Sequence, residues 1–481
     1  MNRLTQRVVI TLTAVVVALF GLPAGSTAQS TARPAIGPER AFVPPPRVER
    51  ILPNGLKVIA VRFLTVPKVS VALTVQSGLA ADPANQAGLA QFVADVAQEG
   101  TATRDSRQIK QEVFAMGASL TGTAGQDTTT FTIRGLADTL PQMMALLADV
   151  VRNPTFPQSE VDLIKANTEQ RLQAQMASPQ MVANRVYRQT LFGSHPYARV
   201  GATPETVKVI DRAAIVQYHR SYYRPNNAFL VITGDVTPDA AFAAAEKVFA
   251  TWTRGVVPPP PTAPVPGLQG RRIVFVQRPN SVQSSISVGN FTIRRNDPRW
   301  PVLNVANQIY GGAFDSRLVR NIREDKGYTY SPQSVFQAMG QAGLYRAAAD
   351  VRNEVTGATL KEIYGEIDTF RRDGPAVAEL DNAKVYARGL FVIQNATQAG
   401  LSNTLNTMYS FGLPNDYPEQ FQKHVSSLSP EAVKTGAQML LGSENSVIVI
   451  VGDYTKVKDQ LGAFANISFV DLNGKPIPPP Q

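Results

Sequence analysis

The segment Gly88–Thr101, reading GLAQFVADVAQEGT, decides how the rest of the chain is read. A helix is expected over residues 87–99, and one turn of it carries Gln91, Ala94 and Asp95. A zinc helix needs two imidazoles four residues apart, with a glutamate between them to activate water. Gln91 is a neutral amide and a poor zinc ligand. Ala94 has no proton to give or take, and Asp95 alone is one ligand. The whole chain holds three histidines, His195, His219 and His424, and no cysteine. No two of the histidines have helical ligand spacing, and a thiolate site is excluded outright. The helix therefore lacks the residues from which a zinc site is built.

Length and composition set the class. A chain of 481 residues exceeds one ordinary core, so two or more domains are expected. Its 44% hydrophobic and 17% charged content is that of a globular protein. The first 28 residues differ in kind: Arg3 and Arg7 precede the apolar run Val8–Leu22, and Ser26-Thr27-Ala28 offers a cleavage site. They read as a secretory signal peptide cut after Ala28. An uncleaved anchor is disfavoured because the run is short for a spanning helix, so no stable membrane insertion is expected after cleavage. Export without cysteine means that no disulfide supports the fold. The expected setting is the periplasm of a Gram-negative bacterium. A net charge of +10 comes from 47 basic and 37 acidic residues with no long basic block, so no nucleic acid partner is expected.

Proline-rich stretches divide the chain. Residues 29–46 read as a flexible lead-in and 254–270 (RGVVPPPPTAPVPGLQG) as an extended linker, while 471–481 is a tail expected to fray. The parts between, 47–253 and 271–470, look like repeats. Gly55–Arg62 matches Gly270–Gln277 in pattern, and Asn227–Asp235 matches Asn445–Asp453, each pair displaced by roughly 215–218 residues. Such a period is far longer than that of a solenoid and marks a duplicated domain. Within the first repeat, strands are expected at 56–63, 69–76, 118–122, 128–134 and 228–234. Helices are expected at 87–99, 106–116, 141–151, 158–176, 179–191 and 211–222. The second repeat follows the same order. The fold class is α+β, each repeat a mostly antiparallel sheet with helices packed on one face.

Gly88–Thr101 resembles the zinc helix of the pitrilysin and mitochondrial-processing-peptidase family of inverted zinc metallopeptidases. The corresponding pattern there is G-L-A-H-x-x-E-H, followed by a short run ending in Gly-Thr. The resemblance extends over almost all of the chain after the leader. It includes Asn153-Pro-Thr-Phe-Pro157, His195-Pro-Tyr197, Gly201-Ala-Thr-Pro204 and Tyr223–Ala228. In the second repeat it takes in Gly311-Gly312, Ser316-Arg-Leu318, Arg323-Glu324, Gly327, Tyr330-Ser331 and Phe411–Pro414. It implies two repeats facing each other like the halves of a clamshell. The family's third ligand, a glutamate on a later helix, falls on Gln170 or Arg171, with Glu169 beside them. The degenerate metal positions are thus Gln91, Ala94, Asp95 and Arg171.

The same resemblance implies that the run Ile322–Ser331, IREDKGYTYS, is an arginine and tyrosine segment lying opposite the metal in active assemblies. Arg323 and Tyr330 become the candidate catalytic residues. The tyrosine hydroxyl would bond a substrate carbonyl as it gains negative charge, and the guanidinium would hold neighbouring carbonyls. Gly311, Gly312, Gly327 and Tyr328 are candidate substrate-binding positions, with Gly327 ending the helix. Strand alternation would set Tyr328 and Tyr330 on one face. The competing reading makes Arg323 a solvated charge at a helix C-terminus and Tyr330 a packed aromatic. His195 and His219 are read as structural.

The implied function is that of a non-catalytic, substrate-binding subunit of a heteromeric zinc metallopeptidase acting on peptides. This chain would carry no cofactor, and zinc would sit in a homologous partner subunit, in a heterodimer or larger assembly. The alternative is a metal-free structural or peptide-binding protein of the same fold. The leader gives the first test. N-terminal sequencing of the exported protein is expected to start at Gln29, and an intact Met1 would overturn the reading.

Overall fold

The computed structural model describes residues 42–440, 442–462 and 466–480, so the leader and most of the lead-in lie outside the described residues. The first repeat contributes β1 (Arg47–Ile51), β2 (Lys57–Arg62), β3 (Lys68–Val75), β4 (Ser119–Ala124), β5 (Thr129–Leu136) and β6 (Ala228–Gly234). The second contributes β7 (Arg271–Gln277), β8 (Gln283–Thr292), β9 (Gln333–Ala338), β10 (Gly343–Arg352), β11 (Ser446–Gly452) and β12 (Ile467–Val470). They form two six-stranded sheets, ordered β1-β2-β6-β3-β5-β4 and β12-β7-β11-β8-β10-β9. From the second position onward the two orders are the same repeat read twice. The outer strands differ: β1 precedes its neighbour and pairs antiparallel, whereas β12 comes last and pairs parallel. Both β2–β6 and β7–β11 are parallel, and the remaining pairs are antiparallel.

Strand β6 (AFLVITG) is buried at every residue, as is β11 (SVIVIVG). Continuous apolar runs of this kind belong to strands covered on both faces. One face of the first sheet packs Val71, Leu73, Leu230 and Ile232 against helices of its own repeat, among them Leu89–Ala97, Leu140–Arg152 and Pro238–Phe249. The other face, with Ile59, Val61, Phe229 and Val231, packs against Leu401, Leu405 and Met408. Those three lie on the helix Gln398–Phe411, which belongs to the second repeat. Thr233 Oγ1 donates to the Gln398 carbonyl at 3.1 Å, and Gln398 Nε2 donates to the Val66 carbonyl at 3.2 Å.

The exchange is reciprocal. Helix Pro179–Phe192 of the first repeat places Val182, Val186, Tyr187 and Leu191 in one cluster with Val274, Val276, Val447 and Val449 of the second sheet. Tyr187 donates its hydroxyl proton to the Tyr345 carbonyl on β10. Gly289 makes room for it, since a Cβ there would stand 2.4 Å from the Tyr187 hydroxyl. Each repeat's own helices therefore cover one face of its sheet, as expected, and the second face is closed by a helix from the other repeat.

Equivalent turns of the two sheets also meet. Tyr197 donates to the Asp127 carboxylate in the β4–β5 turn and accepts from Gln341 N at 2.9 Å in the β9–β10 turn. Asp127 Oδ2 also accepts from Gly340 N at 3.0 Å. His195 is buried behind this junction, its Nδ1 accepting from Tyr197 N at 3.1 Å. Residues 254–269 carry no helix or strand. The tail departs from expectation: Asp471 and Lys475 close a turn, and Ile477 N donates to the Phe469 carbonyl at 3.0 Å. The chain after β12 folds back because its strand edge still has partners to give. No described helix is long and apolar enough to cross a membrane.

Leu405 is 3% exposed between the repeats. Replacing it with alanine removes buried carbon and leaves a void, so Leu405→Ala is expected to lower the unfolding free energy by about 2–4 kcal/mol, measured by denaturant titration.

Candidate functional site

The motif helix is held from its N-terminus. Asp82, almost fully buried, accepts from Gly88 N at 2.7 Å and Ala90 N at 2.9 Å. Burial pushes its carboxyl up to about 7, against the opposing pull of those amides and of Arg199. Gly88 has φ +96°, and a Cβ there would lie 2.6 Å from Ala202 N, so only glycine starts this helix. Helix Leu89–Ala97 then buries Leu89, Phe92, Val93 and Val96 in the core. The remaining side carries Gln91 and Asp95.

At these positions the structure shows a hydrogen-bonded bridge. Gln91 Nε2 donates to Asp95 Oδ1 at 2.7 Å and to the Gly122 carbonyl at 3.3 Å, and Gln91 Oε1 accepts from Ala124 N at 2.8 Å. Burial raises the Asp95 carboxyl above its ordinary range, opposed by the Gln91 bond and the charge of Arg171. Helix Gln158–Met176 runs past this bridge. Of the residues considered for the third position, all are exposed, and Arg171 lines the cavities beside Asp95 whereas Glu169 and Gln170 line neither. Ala94 is buried and offers no donor. The set is one amide with all its polar groups engaged, one carboxylate, and a guanidinium on the same cavity walls. A divalent cation does not fit it: Asp95 is already bonded to Gln91, Glu99 nearby is bonded to Ser106 and Lys110, and Arg171 adds a positive charge. Among the described residues, no three His, Cys, Asp or Glu side chains gather in a group that could hold a metal.

The arginine and tyrosine segment lies elsewhere. Residues Val319–Asp325 form a π-helical turn that carries Arg323. Gly327, at φ +63°, ends it, and Gly327 N donates to the Arg323 carbonyl at 3.2 Å. The segment 326–332 is not a strand, since β9 starts at Gln333. Alternation therefore does not relate Tyr328 to Tyr330. Tyr328 N instead bonds the Ile322 carbonyl at 2.9 Å as the chain leaves the turn. The Arg323 guanidinium sits between two rings, 4.7 Å from the centroid of Phe314 and 4.5 Å from that of Tyr330. Phe314 is 70% exposed and Tyr330 78% exposed. This is a cation held between π-faces at the surface rather than a packed aromatic. No ion pair to Arg323 is seen among the described residues. Phe314 was not singled out in the sequence; an aromatic nine residues before an arginine carries no periodic signal.

Gly311 and Gly312 end a π-helical segment, Gln308–Gly312. A Cβ on Gly311 would meet Ser334 Oγ at 2.7 Å, so the close approach there is to β9 of the same repeat. The cavities at Asp95 are lined by first-repeat residues, and Arg323 and Tyr330 line neither. The structure thus brings Gln91, Asp95 and Arg171 together, and separately Arg323 and Tyr330.

The fold and the bridge define a class: two repeats built to carry an inverted zinc helix, with the ligand set gone. Comparison with known proteins agrees. Residues 57–205 match the family model described as insulinase (peptidase family M16), and residues 210–385 match that of the peptidase M16 inactive domain. The chain belongs to peptidase family M16. It is 27% identical over 365 residues to an uncharacterized zinc protease of Mycobacterium tuberculosis, covering 75% of this chain and 82% of that one. A peptidase M16 inactive domain from Pseudomonas fluorescens superposes with a TM-score of 0.79 at 28% identity, over 85% of this chain and 98% of the other. The periplasmic protease PqqL from Escherichia coli gives a TM-score of 0.71 at 16% identity, over 87% of this chain and 49% of that one.

His219 makes the region sensitive to acid. Its ring lies tilted against Tyr223 at 4.5 Å with Nε2 bonded to the Val151 carbonyl at 2.8 Å, and burial lowers its pKa to about 4. The unfolded chain takes up this proton below about pH 6.5 and the folded chain only near pH 4. Stability contributed by the neutral ring is therefore complete above pH 6.5 and lost as pH falls towards 4. Relative to His219→Gln, which keeps a donor but cannot be charged, the native protein is expected to lose about 2–3 kcal/mol over that window, measured by unfolding at each pH.

Proposed function

We propose that this chain is the non-catalytic subunit of a periplasmic zinc peptidase assembly. A homologous partner supplies the metal and the general base, and this chain supplies Arg323 and Tyr330 together with part of a peptide-binding chamber. The observation that carries the reading is the Phe314–Arg323–Tyr330 stack. A guanidinium fixed between exposed rings keeps its donors in solution while its rotamers are already restricted, so it is preorganised to take carbonyl oxygens. Arg295 also lies over two rings, Trp300 and Tyr417, but it is buried and bonded to the Tyr417 hydroxyl as packing, whereas the rings at Arg323 are exposed. The periplasmic neighbour of the same fold and the composition of the leader support the compartment.

A second reading, a metal-free peptide-binding protein, is favoured by the Gln91 bridge, which refills the old ligand position instead of leaving it open. The two separate on activity in the presence of a partner carrying H-x-x-E-H. Tyr330→Phe keeps the ring on Arg323 and removes one hydroxyl, so assembly on gel filtration should be unchanged. Turnover of a peptide should fall on the order of 100-fold, about 3 kcal/mol. Arg323→Ala should raise KM as well as lower kcat. Full activity in both variants would leave the chain as a scaffold.

A further inference from the structure

Strand β4 is the outermost strand of the first sheet and pairs only with β5. Gly125 N bonds the Thr128 carbonyl at 2.7 Å where the hairpin turns. By alternation, Ser119, Thr121 and Thr123 direct their backbone groups to β5, and Leu120, Gly122 and Ala124 direct theirs outward. Such an edge is a template for another chain. Here two of its outward groups are already taken, since Gln91 accepts from Ala124 N at 2.8 Å and donates to the Gly122 carbonyl at 3.3 Å. One residue of a parallel neighbouring strand would make this same pair of bonds, donating to one residue and accepting from the next but one.

Asp95 fixes the amide in this sense. A carboxylate only accepts, so the amide nitrogen must face Asp95, at 2.7 Å, which leaves the amide oxygen for Ala124 N. The helix is seated close enough for this because position 122 lacks a side chain. A Cβ there would stand 2.8 Å from Gln98 Nε2 and 3.1 Å from the Ala94 carbonyl. Cavities of about 450 and 550 Å³ open beside the bridge. Ala124 and Gln91 line the first, Ala118 and Leu120 line the second, and Asp95 and Arg171 form a wall of both. The trough along β4 is thus interrupted at Gln91.

We propose that the Gln91 side chain acts as an internal strand surrogate that closes the outer edge of β4, and that an extended polypeptide segment adds to this edge only by displacing it. The occupant is peptide backbone, because the bonds that Gln91 makes are backbone-type bonds and the groups left unpaired beside them are backbone groups. The proposal rests on the reading of this repeat as peptide-binding. It adds that the substitution which removed a ligand also installed a gate.

The test uses the full chain without its leader and a fluorescein-labelled, unstructured peptide of about a dozen alternating threonine and valine residues with terminal lysines. Anisotropy gives the affinity, and hydrogen exchange followed by NMR reads the Ala124 amide. Gln91→Ala should bind on the order of tenfold more tightly than the native chain. Its Ala124 amide should exchange faster when free and slow again when the peptide is bound. A peptide N-methylated at alternate residues should show no such gain. Equal affinity of the two chains, no binding by either, or an Ala124 amide unchanged by the substitution would each overturn the gate. The two readings fail separately. A native chain that activates its partner while Gln91→Ala gains nothing sinks the gate alone. A tenfold gain without activity in any metal-bearing pairing keeps the gate and removes the subunit.

Discussion

Each sheet has two apolar faces and helices of its own for only one of them. That constraint organises the molecule. β6 and β11 are buried at every position, so an uncovered second face would expose Ile59, Val61, Phe229 and Val231 in one repeat and Val447, Val449 and Val451 in the other. Each fully buried aliphatic side chain contributes about 1.5–3 kcal/mol relative to exposure, so the exchanged helices add several such contributions that neither repeat makes alone. The junction of Asp127, Tyr197, Gly340 and Gln341 joins equivalent turns of the two sheets between these covers.

The metal helix shows how a frame outlasts its chemistry. What positions the helix is remote from any ligand: the Asp82 carboxylate on the first amides, the left-handed Gly88, and an apolar face in the core. None of these depends on a cation. Once the ligands change, the electrostatics change with them. The Asp95 carboxylate is balanced only by an amide proton and the charge of Arg171, and burial makes its ionisation less favourable.

Much of this was legible in the residues. The duplication showed in the Gly-Asp ends of β6 and β11, and the Gln158–Met176 helix and the β6 strand fall at the expected bounds. The bond between Gln91 and Asp95 follows from their spacing of one turn. What the sequence did not carry was anything set by distant chain. The helices Pro179–Phe192 and Gln398–Phe411 look like ordinary members of their own repeats, because periodicity reports that a face is buried and not against what. The strand expected to hold Tyr330 is a loop because Gly327 leaves the π-helical turn in the left-handed region and pairing begins only at Gln333. The strands β1 and β12 also went unread, the first just after the proline-rich lead-in and the second just before the tail.

The exchanged helices bear on how the chain is made. The strands of the first sheet are complete once residue 234 has been synthesised, yet the helix that covers their second face ends at Phe411. Throughout that interval the nascent first repeat presents an apolar sheet face with no partner. The second sheet has the opposite history, for its cover, Pro179–Phe192, is already in place before β7 begins. Topology therefore makes the two halves unequal: the first sheet depends for its second face on a helix far downstream in the chain, while the second sheet meets a cover that precedes it.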